Sequence, residues 1–260
     1  MKRVFKIKYN GIGFAGYQFQ PNKRTVQGEL TDAFSKTVGF PVSVTGCSRT
    51  DAGVHALGFV CTVEPKNKDD TIDIPVGKFH RAARHFLPPD IGIVGEGCAD
   101  DDFHPRYSVV GKTYEYKMYD SAAYDPFLNG LAWQLKKPLP NDAVDVMNAC
   151  GNELVGRHDF TSFMSTGSRI TDAVREIFSL SVRRDGDIVA VRVTADGFLY
   201  NMVRIITGTL TDAAYGLYSP SEMRLILESK DRTKAGKTAP PDGLYLTEVK
   251  YPETIEWKTE

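Results

Sequence analysis

Residues 46–56 have the sequence GCSRTDAGVHA, a polar segment between two apolar runs. A short alternating run at 42–44 precedes it, and a longer one at 57–63 follows with the two-residue period of a half-buried strand. The segment holds one carboxylate, Asp51, among small neighbours that let a bulky group come close. The sequence therefore predicts a loop that joins two strands and carries a single acidic side chain.

Two interpretations of this loop stay open when only the residues are considered. Aspartate and glycine are the commonest turn residues, so Asp51 could bond its own backbone in a tight turn. Arg49, two positions earlier, can either pair with Asp51 or reach outward. A cation close to a carboxylate favours its charged form, which can act as a nucleophile or a base at neutral pH. The second interpretation makes the loop catalytic.

Composition places the chain among ordinary soluble proteins. Its 260 residues suggest one large domain or two smaller ones, and 42% hydrophobic with 25% charged residues is typical of a globular protein. No apolar run approaches the roughly 20 residues of a membrane span. Residues 1–10 alternate lysine with apolar residues and have no signal-peptide core, so we expect a cytoplasmic protein. The four cysteines form no C-x-x-C pair, so neither zinc nor a disulfide framework is indicated.

Charge is unevenly distributed although the net charge is −1. Residues 1–60 hold eight Lys/Arg and three Asp/Glu, a net of +5, whereas residues 61–105 hold five and nine, a net of −4. The positive excess lies on the part of the chain that includes Asp51. A solvated surface explains the same excess, so charge alone does not indicate a nucleic-acid partner.

The first part of the chain predicts a rigid support for the Asp51 loop. Alternation over 4–9 predicts a strand, and a glycine-rich loop at 10–20 follows it without the G-K-[ST] ending of a phosphate loop. Apolar spacing over 25–38 predicts a helix with Thr25 as its N-cap. The order strand, loop, helix, strand, Asp51 loop, strand would mount the carboxylate at the end of a strand that a helix backs.

The next segments offer histidines and acids that we interpret as structural. Residues 75–87 predict a helix that Pro88 and Pro89 end, with His80 and His85 near its solvated side rather than in phosphate contacts. Residues 99–104 place acids and a histidine together, and an acidic loop is the simpler interpretation than a metal site.

The later part of the chain predicts further elements and two candidate polar groups. Tyr114, Tyr116 and Met118 share one face of a predicted strand. A tyrosine ring can stack on a base and still form a hydrogen bond, which makes Tyr114 a candidate for such a contact. We expect Tyr116 to lie in the core. Arg204 lies in a largely apolar helix, where it either has a partner or faces solvent. The remaining predictions are a helix at 141–154, a polar loop at 164–171, a hairpin turn at 184–187, a capping box at 219–222 and a last strand to 251.

Six stretches together resemble the tRNA pseudouridine synthases of the TruA family. The string RTDAGVHA at 49–56 resembles the family's signature, and the matches run in the family's order from Tyr9 to Pro252. Two positions depart from the family pattern: Tyr17 replaces the usual tryptophan, and Ser48 replaces the usual glycine. The other matching stretches are 9–20, 103–116, 158–163, 198–204 and 239–246.

The resemblance implies an α+β fold of two similar subdomains. Each would be a mixed or antiparallel sheet with helices on one face, and the active cleft would lie between them. The first subdomain, 1–105, would carry the catalytic loop, and the second would span 106–260. The family is usually homodimeric, so a homodimer is expected.

The resemblance also implies the reaction and the site. Uridine would be isomerised to pseudouridine at positions 38–40 of the anticodon stem-loop of tRNA, without a cofactor because no redox change occurs. Asp51 would be the catalytic carboxylate, and Tyr114 would stack on the uracil while Leu244 packs against its other side. Arg204 would pair with Asp51 and hold it ionised. Arg49 would hold the gap or the phosphate of the flipped nucleotide.

Two other classes of function remain as alternatives. A hydrolase could use Asp51 and His55 with a metal, which requires further ligands nearby. A non-catalytic RNA-binding module would bind tRNA and leave it unchanged. The expected partner is tRNA, and neither DNA nor a membrane is expected.

Overall fold

The computed structural model describes residues 1–167, 172–252 and 254–259, so the polar loop predicted at 164–171 lies partly outside the described residues. The backbone packs into two compact units: residues 1–110 together with 246–260, and residues 111–245. The division into synthase subdomains at 105/106 stays a prediction. Within the described ranges, no helix combines the length and apolar character needed to cross a membrane.

The first unit is an antiparallel sheet with two helices. Strands β4 (Ile91–Ala99), β1 (Lys2–Tyr9) and β3 (His55–Pro65) lie side by side in that order, and β2 (Val42–Gly46) pairs with β3. Consequently both strands that flank residues 47–54 belong to one sheet. The elements are β1 (Lys2–Tyr9), α1 (Val26–Val38), β2 (Val42–Gly46), β3 (His55–Pro65), α2 (Phe79–Ala83) and β4 (Ile91–Ala99).

Helix α1 begins and ends where its sequence predicts. The Thr25 side chain accepts a hydrogen bond from Gly28 N at 3.2 Å, and Gly39 takes the left-handed conformation with φ 83° after the last turn. Its buried face includes Phe34, whose ring centroid lies 4.6 Å from that of Phe5 on β1 and 5.4 Å from that of Phe79 on α2. These aromatic contacts join both helices to the sheet.

The prediction for residues 75–87 was wrong in two respects. Helix α2 covers only Phe79–Ala83, and a single 3₁₀ turn follows it. His80 is buried rather than solvated, and its Nδ1 lies 3.0 Å from Oε2 of Glu96. Glu96 is fully buried, and its Oε1 accepts a hydrogen bond from Arg3 Nη1 at 3.0 Å. The reason is that a buried carboxylate needs polar partners, and Glu96 finds them in His80 and Arg3, which lie on other elements.

The second unit is also an antiparallel sheet with helices. Its strands follow the order β5 (Gly111–Tyr119), β9 (Ile188–Ala195), β8 (Val174–Asp185), β7 (Gly156–Asp159). The short strand β6 (Trp133–Gln134) runs parallel to β5. The α+β class that the sequence predicts is confirmed in both units. The elements are β5 (Gly111–Tyr119), β6 (Trp133–Gln134), α3 (Ala143–Asn152), β7 (Gly156–Asp159), β8 (Val174–Asp185), β9 (Ile188–Ala195), α4 (Met202–Ala214), α5 (Pro220–Ser229) and β10 (Leu244–Lys250), the last of which continues into the first unit.

Two local predictions in this unit are confirmed. Strands β8 and β9 form the expected hairpin, with Gly186 at φ 56° in its turn. Helix α5 has the expected capping box: the Ser219 hydroxyl accepts from Glu222 N at 3.4 Å, and Ser219 N donates to Glu222 Oε2 at 2.7 Å.

Replacement of the cap residue, Ser219→Ala, should lower the free energy of unfolding by about 1 kcal/mol. The cause is that Glu222 N, an N-terminal amide without an intrahelical partner, loses its acceptor. Urea denaturation measures the change. Ser219→Thr keeps the hydroxyl and should stay within a few tenths of a kcal/mol of the wild type; an equal loss in both variants would show that the hydroxyl is not the source.

Candidate active site

Asp51 is the first residue of a tight turn. Its carbonyl oxygen accepts a hydrogen bond from Val54 N at 3.2 Å, and Gly53 at the third position has φ 81°. The backbone prediction of a turn is therefore confirmed. The Asp51 side chain is half-buried. Because the carbonyl oxygen of Asp51 closes the turn, a turn and a reactive side chain are compatible.

The glycine-rich loop at 10–20 packs directly on this turn. A Cβ atom on Gly16, which has φ 97°, would lie 2.8 Å from Thr50 O and 3.3 Å from the Asp51 carbonyl carbon. A Cβ atom on Gly11 would lie 2.3 Å from Val54 O. Tyr17 N also donates to Thr50 O at 3.0 Å. These glycines are required because one backbone touches another, a reason that the sequence did not reveal.

Arg49, two residues before Asp51, lies at the surface. Its side chain is exposed and forms no ion pair or hydrogen bond with any residue in the described part of the chain. An exposed guanidinium beside the Asp51 turn is available to an anionic ligand, and its predicted role stays a prediction.

Tyr114 and its neighbour on β5 have different surroundings. Tyr114 is largely buried and pairs across the sheet with Val193, while its ring meets Phe198 edge to face at 5.1 Å. Tyr116 is fully buried, and its hydroxyl donates to Pro240 O at 2.7 Å. Burial raises the pKa of Tyr116. The expectation that Tyr116 belongs to the core is confirmed.

Leu244 is the first residue of β10 and is largely buried. A 3₁₀ turn, Pro241–Gly243, delivers the chain to it. Gly243 allows this path, because a Cβ atom there would lie 2.3 Å from Lys117 O on β5. The predicted base contact of Leu244 stays a prediction.

Arg204 is half-buried in the first turn of α4, and it is fixed by two acceptors. Its Nε donates to Ala239 O at 2.8 Å and its Nη1 to the Asn201 side-chain oxygen at 2.6 Å. Ala239 N returns a hydrogen bond to Arg204 O at 3.1 Å. Sequence reasoning missed both partners, although Asn201 stands three residues before Arg204, the spacing of neighbours on a helix. The predicted pairing with Asp51 stays a prediction.

Comparisons with known proteins agree with these motifs. A family model described as tRNA pseudouridine synthase matches residues 151–252. The tRNA pseudouridine synthase A of Caldicellulosiruptor saccharolyticus is 43% identical over 248 residues, which cover 95% of this chain and 98% of that protein. The protein of the same name from Bacillus subtilis is 42% identical over 253 residues, 96% and 99% of the two chains. The chain belongs to the tRNA pseudouridine synthase A family.

This family membership confirms the resemblance found in the sequence. The chain is an enzyme of the pseudouridine synthase class that modifies tRNA. A crystal structure of a Cbf5-Nop10-Gar1 complex has a TM-score of 0.36 and 12% identity and covers 94% of this chain and 58% of that chain. That likeness is too low to add to the family assignment.

In this family member, His55 is engaged in the fold. It is buried, with 1% of its surface exposed, and its Nδ1 accepts a hydrogen bond from Gly11 N at 3.0 Å. The lone pair that a metal would need at Nδ1 is therefore taken. Among the described residues, no cluster of three or more His, Cys, Asp or Glu side chains has the arrangement of a metal site. The geometry around His55 does not favour the metal-dependent hydrolase.

Tyr17, which replaces the family's tryptophan, is a core residue. Its ring stacks on that of Phe59 at 4.5 Å and is 3% exposed. Gly46 makes room for it, because a Cβ atom there would lie 2.5 Å from the Tyr17 hydroxyl. That hydroxyl is buried without a hydrogen-bond partner among the described residues, and burial raises the pKa of Tyr17 well above its usual value. The aromatic ring at this position therefore lies in the core of the first unit.

Removal of this hydroxyl, Tyr17→Phe, should raise the free energy of unfolding by up to about 1 kcal/mol, because a buried unpaired polar group is lost. Tyr116→Phe is the matched control: it removes a hydroxyl that donates to Pro240 O at 2.7 Å and should cost about 1 kcal/mol. Chemical denaturation measures both. Equal destabilisation of the two variants would mean that the Tyr17 hydroxyl has a partner.

Proposed function

We propose that this chain isomerises uridine to pseudouridine at positions 38–40 in the anticodon stem-loop of tRNA, as a cytoplasmic homodimer with Asp51 as the reacting carboxylate. The observation that carries the proposal is the whole-length similarity to tRNA pseudouridine synthase A proteins, at 43% identity over 95% of the chain. The local geometry agrees with it, since Asp51 stands at the start of a turn that its own carbonyl oxygen closes.

The proposed reaction rearranges one nucleotide without oxidation or reduction. The bond between ribose C1′ and uracil N1 breaks, and a bond between C1′ and C5 forms. A proton leaves C5, and N1 gains one. A carboxylate can attack C1′ or C6, or can remove the proton from C5, and each of these roles requires its ionised form. The balance needs no redox cofactor.

The proposed base contacts use residues whose positions the fold fixes. Tyr114 stacks on the extruded uracil, and its edge-to-face contact with Phe198 at 5.1 Å holds the ring. Leu244 packs against the other face of the base. Arg204, held by two acceptors at its Nε and Nη1, keeps Asp51 ionised through an ion pair. Arg49 is exposed and contacts the phosphate of the flipped nucleotide or fills its place in the stem.

The test compares two unmodified tRNA transcripts. One carries uridines at positions 38–40; in the other they are replaced by cytidine, with compensating changes in the paired strand. After incubation with the protein, carbodiimide-blocked primer extension should stop at those positions in the first transcript and nowhere in the second. Stops elsewhere in both transcripts would overturn the site assignment.

Two further measurements separate the remaining alternatives. Binding of the first transcript without any stops would favour the RNA-binding module over the enzyme. Sedimentation of the purified protein tests the homodimer, because a single species of monomer mass at micromolar concentration would contradict it.

A further inference from the structure

A buried pair of hydroxyls lies immediately before Asp51 in the structure. The Tyr9 hydroxyl is 2.8 Å from Thr50 Oγ1, and both residues are more than nine-tenths buried. We infer that Tyr9 and Thr50 are positioning residues, which act on the reaction through the backbone that carries Asp51. This inference rests on the proposed function, since it assumes that Asp51 is the reacting group.

Thr50 is held through both its side chain and its carbonyl oxygen. Its hydroxyl contacts Tyr9, its carbonyl oxygen accepts from Tyr17 N at 3.0 Å, and the same oxygen lies where a Cβ atom on Gly16 would come within 2.8 Å. Threonine is stiff about χ1, so a hydrogen bond to Oγ1 selects one rotamer and restrains the adjoining backbone. The peptide that leads into Asp51 is therefore fixed by contacts at both the side chain and the carbonyl.

Tyr9 is itself fixed by the sheet. It ends β1, where it pairs with Ala56 on β3 and Ile91 on β4, and its ring meets Phe59 edge to face at 5.7 Å. The register of β1 against β3 shifts just before it, between Ile7 and Tyr9. The hydroxyl is thus set by a central strand and not by the loop, and a site supported from a regular element is held more precisely than one supported by a loop alone.

The expected consequence concerns the rate and not the binding of tRNA. A displacement of about 1 Å in a reacting group can cost about 10²-fold in rate. Loss of one hydroxyl loosens the support while the turn hydrogen bond from Val54 N to Asp51 O remains. We therefore expect kcat to fall by about tenfold, less than the loss for a full 1 Å displacement. KM should stay within about twofold, because the buried hydroxyls do not reach the RNA.

The test is a double-mutant cycle with Tyr9→Phe, Thr50→Val and the double variant. Each single variant should lose about tenfold in kcat, and the double variant should lose no more than either, because the same contact is removed in all three. Thr50→Ser keeps the hydroxyl and should restore most of the rate. Tyr251→Phe is the matched control: in the same unit it removes a hydroxyl that donates to Pro105 O at 2.7 Å, and it should leave kcat unchanged.

The outcomes are distinct. Wild-type kcat in both single variants would overturn the inference while leaving the proposed function intact. So would losses that multiply in the double variant, or a fall in Tyr251→Phe equal to that in Tyr9→Phe, because either would indicate independent or general effects. Wild-type protein that forms no pseudouridine would overturn the proposed function and, with it, this inference.

Discussion

We expect Asp51→Asn to abolish pseudouridine formation, with kcat at least about 10³-fold lower. The amide has nearly the same shape as the carboxylate, but it can serve neither as a nucleophile nor as a base. The turn should persist, because Asp51 takes part in it through its carbonyl oxygen, which accepts from Val54 N at 3.2 Å. Single-turnover assays on a tRNA transcript measure the rate, and filter binding measures tRNA affinity, which should stay close to that of the wild type.

The matched control for this change is Asp90→Asn in the same unit. The Asp90 carboxylate accepts two hydrogen bonds from Arg24, at 2.7 and 2.9 Å, so the substitution also removes a charged acceptor from a paired site. We expect it to leave kcat unchanged. Pseudouridine formed by Asp51→Asn at the wild-type rate would show that Asp51 is not the reacting group. In that case the proposed mechanism would be wrong although the family assignment would stand.

Arg204→Lys should lower kcat by about 10²-fold, the second largest effect that we expect. The guanidinium reaches two acceptors in different directions, Ala239 O at 2.8 Å and the Asn201 side-chain oxygen at 2.6 Å. A single ammonium on a flexible stem cannot reproduce this planar, forked geometry. The remaining positive charge would be poorly placed toward the predicted partner, Asp51. Steady-state kinetics on the tRNA transcript measure the change.

Arg184→Lys provides the comparison for this variant. Arg184 lies in the same unit and also makes two hydrogen bonds, to the Asp120 carboxylate at 3.0 and 2.8 Å. Its replacement should lower stability slightly and leave kcat unchanged. Equal losses of kcat in the two lysine variants would indicate that any weakened arginine in this unit impairs the enzyme. The specific role of Arg204 would then be contradicted.

Local structure was predictable wherever local physics decides it. The N-cap at Thr25, the hairpin turn at Gly186 and the capping box at Ser219 all depend on hydrogen bonds or backbone angles within four residues. Apolar periodicity similarly identified α1 and the strand that became β5. The family resemblance implied the α+β class and supplied the candidate site residues.

Contacts between distant residues were not predictable from periodicity. His80 is polar and does not share the apolar face of its segment, so the pattern predicts an exposed side chain. In the structure its ring is buried against the Glu96 carboxylate. The acceptors of Arg204 include Ala239, a residue 35 positions away. The glycines at 11 and 16 indicated a loop, and only the packing shows that they touch the backbone on either side of Asp51.

The sequence by itself therefore determined local elements such as α1 and the β8–β9 hairpin, and through the family resemblance the α+β class and Asp51 as the candidate reactive group, because each of these depends on short patterns or on a matching string. Tertiary structure alone decided that residues 246–252 and 254–259 pack with the first unit and that the Tyr9 hydroxyl lies 2.8 Å from Thr50 Oγ1. The physical reason is that hydrogen bonds and close backbone approaches over tens of residues depend on how strands pair. No local spacing of residue types encodes that pairing.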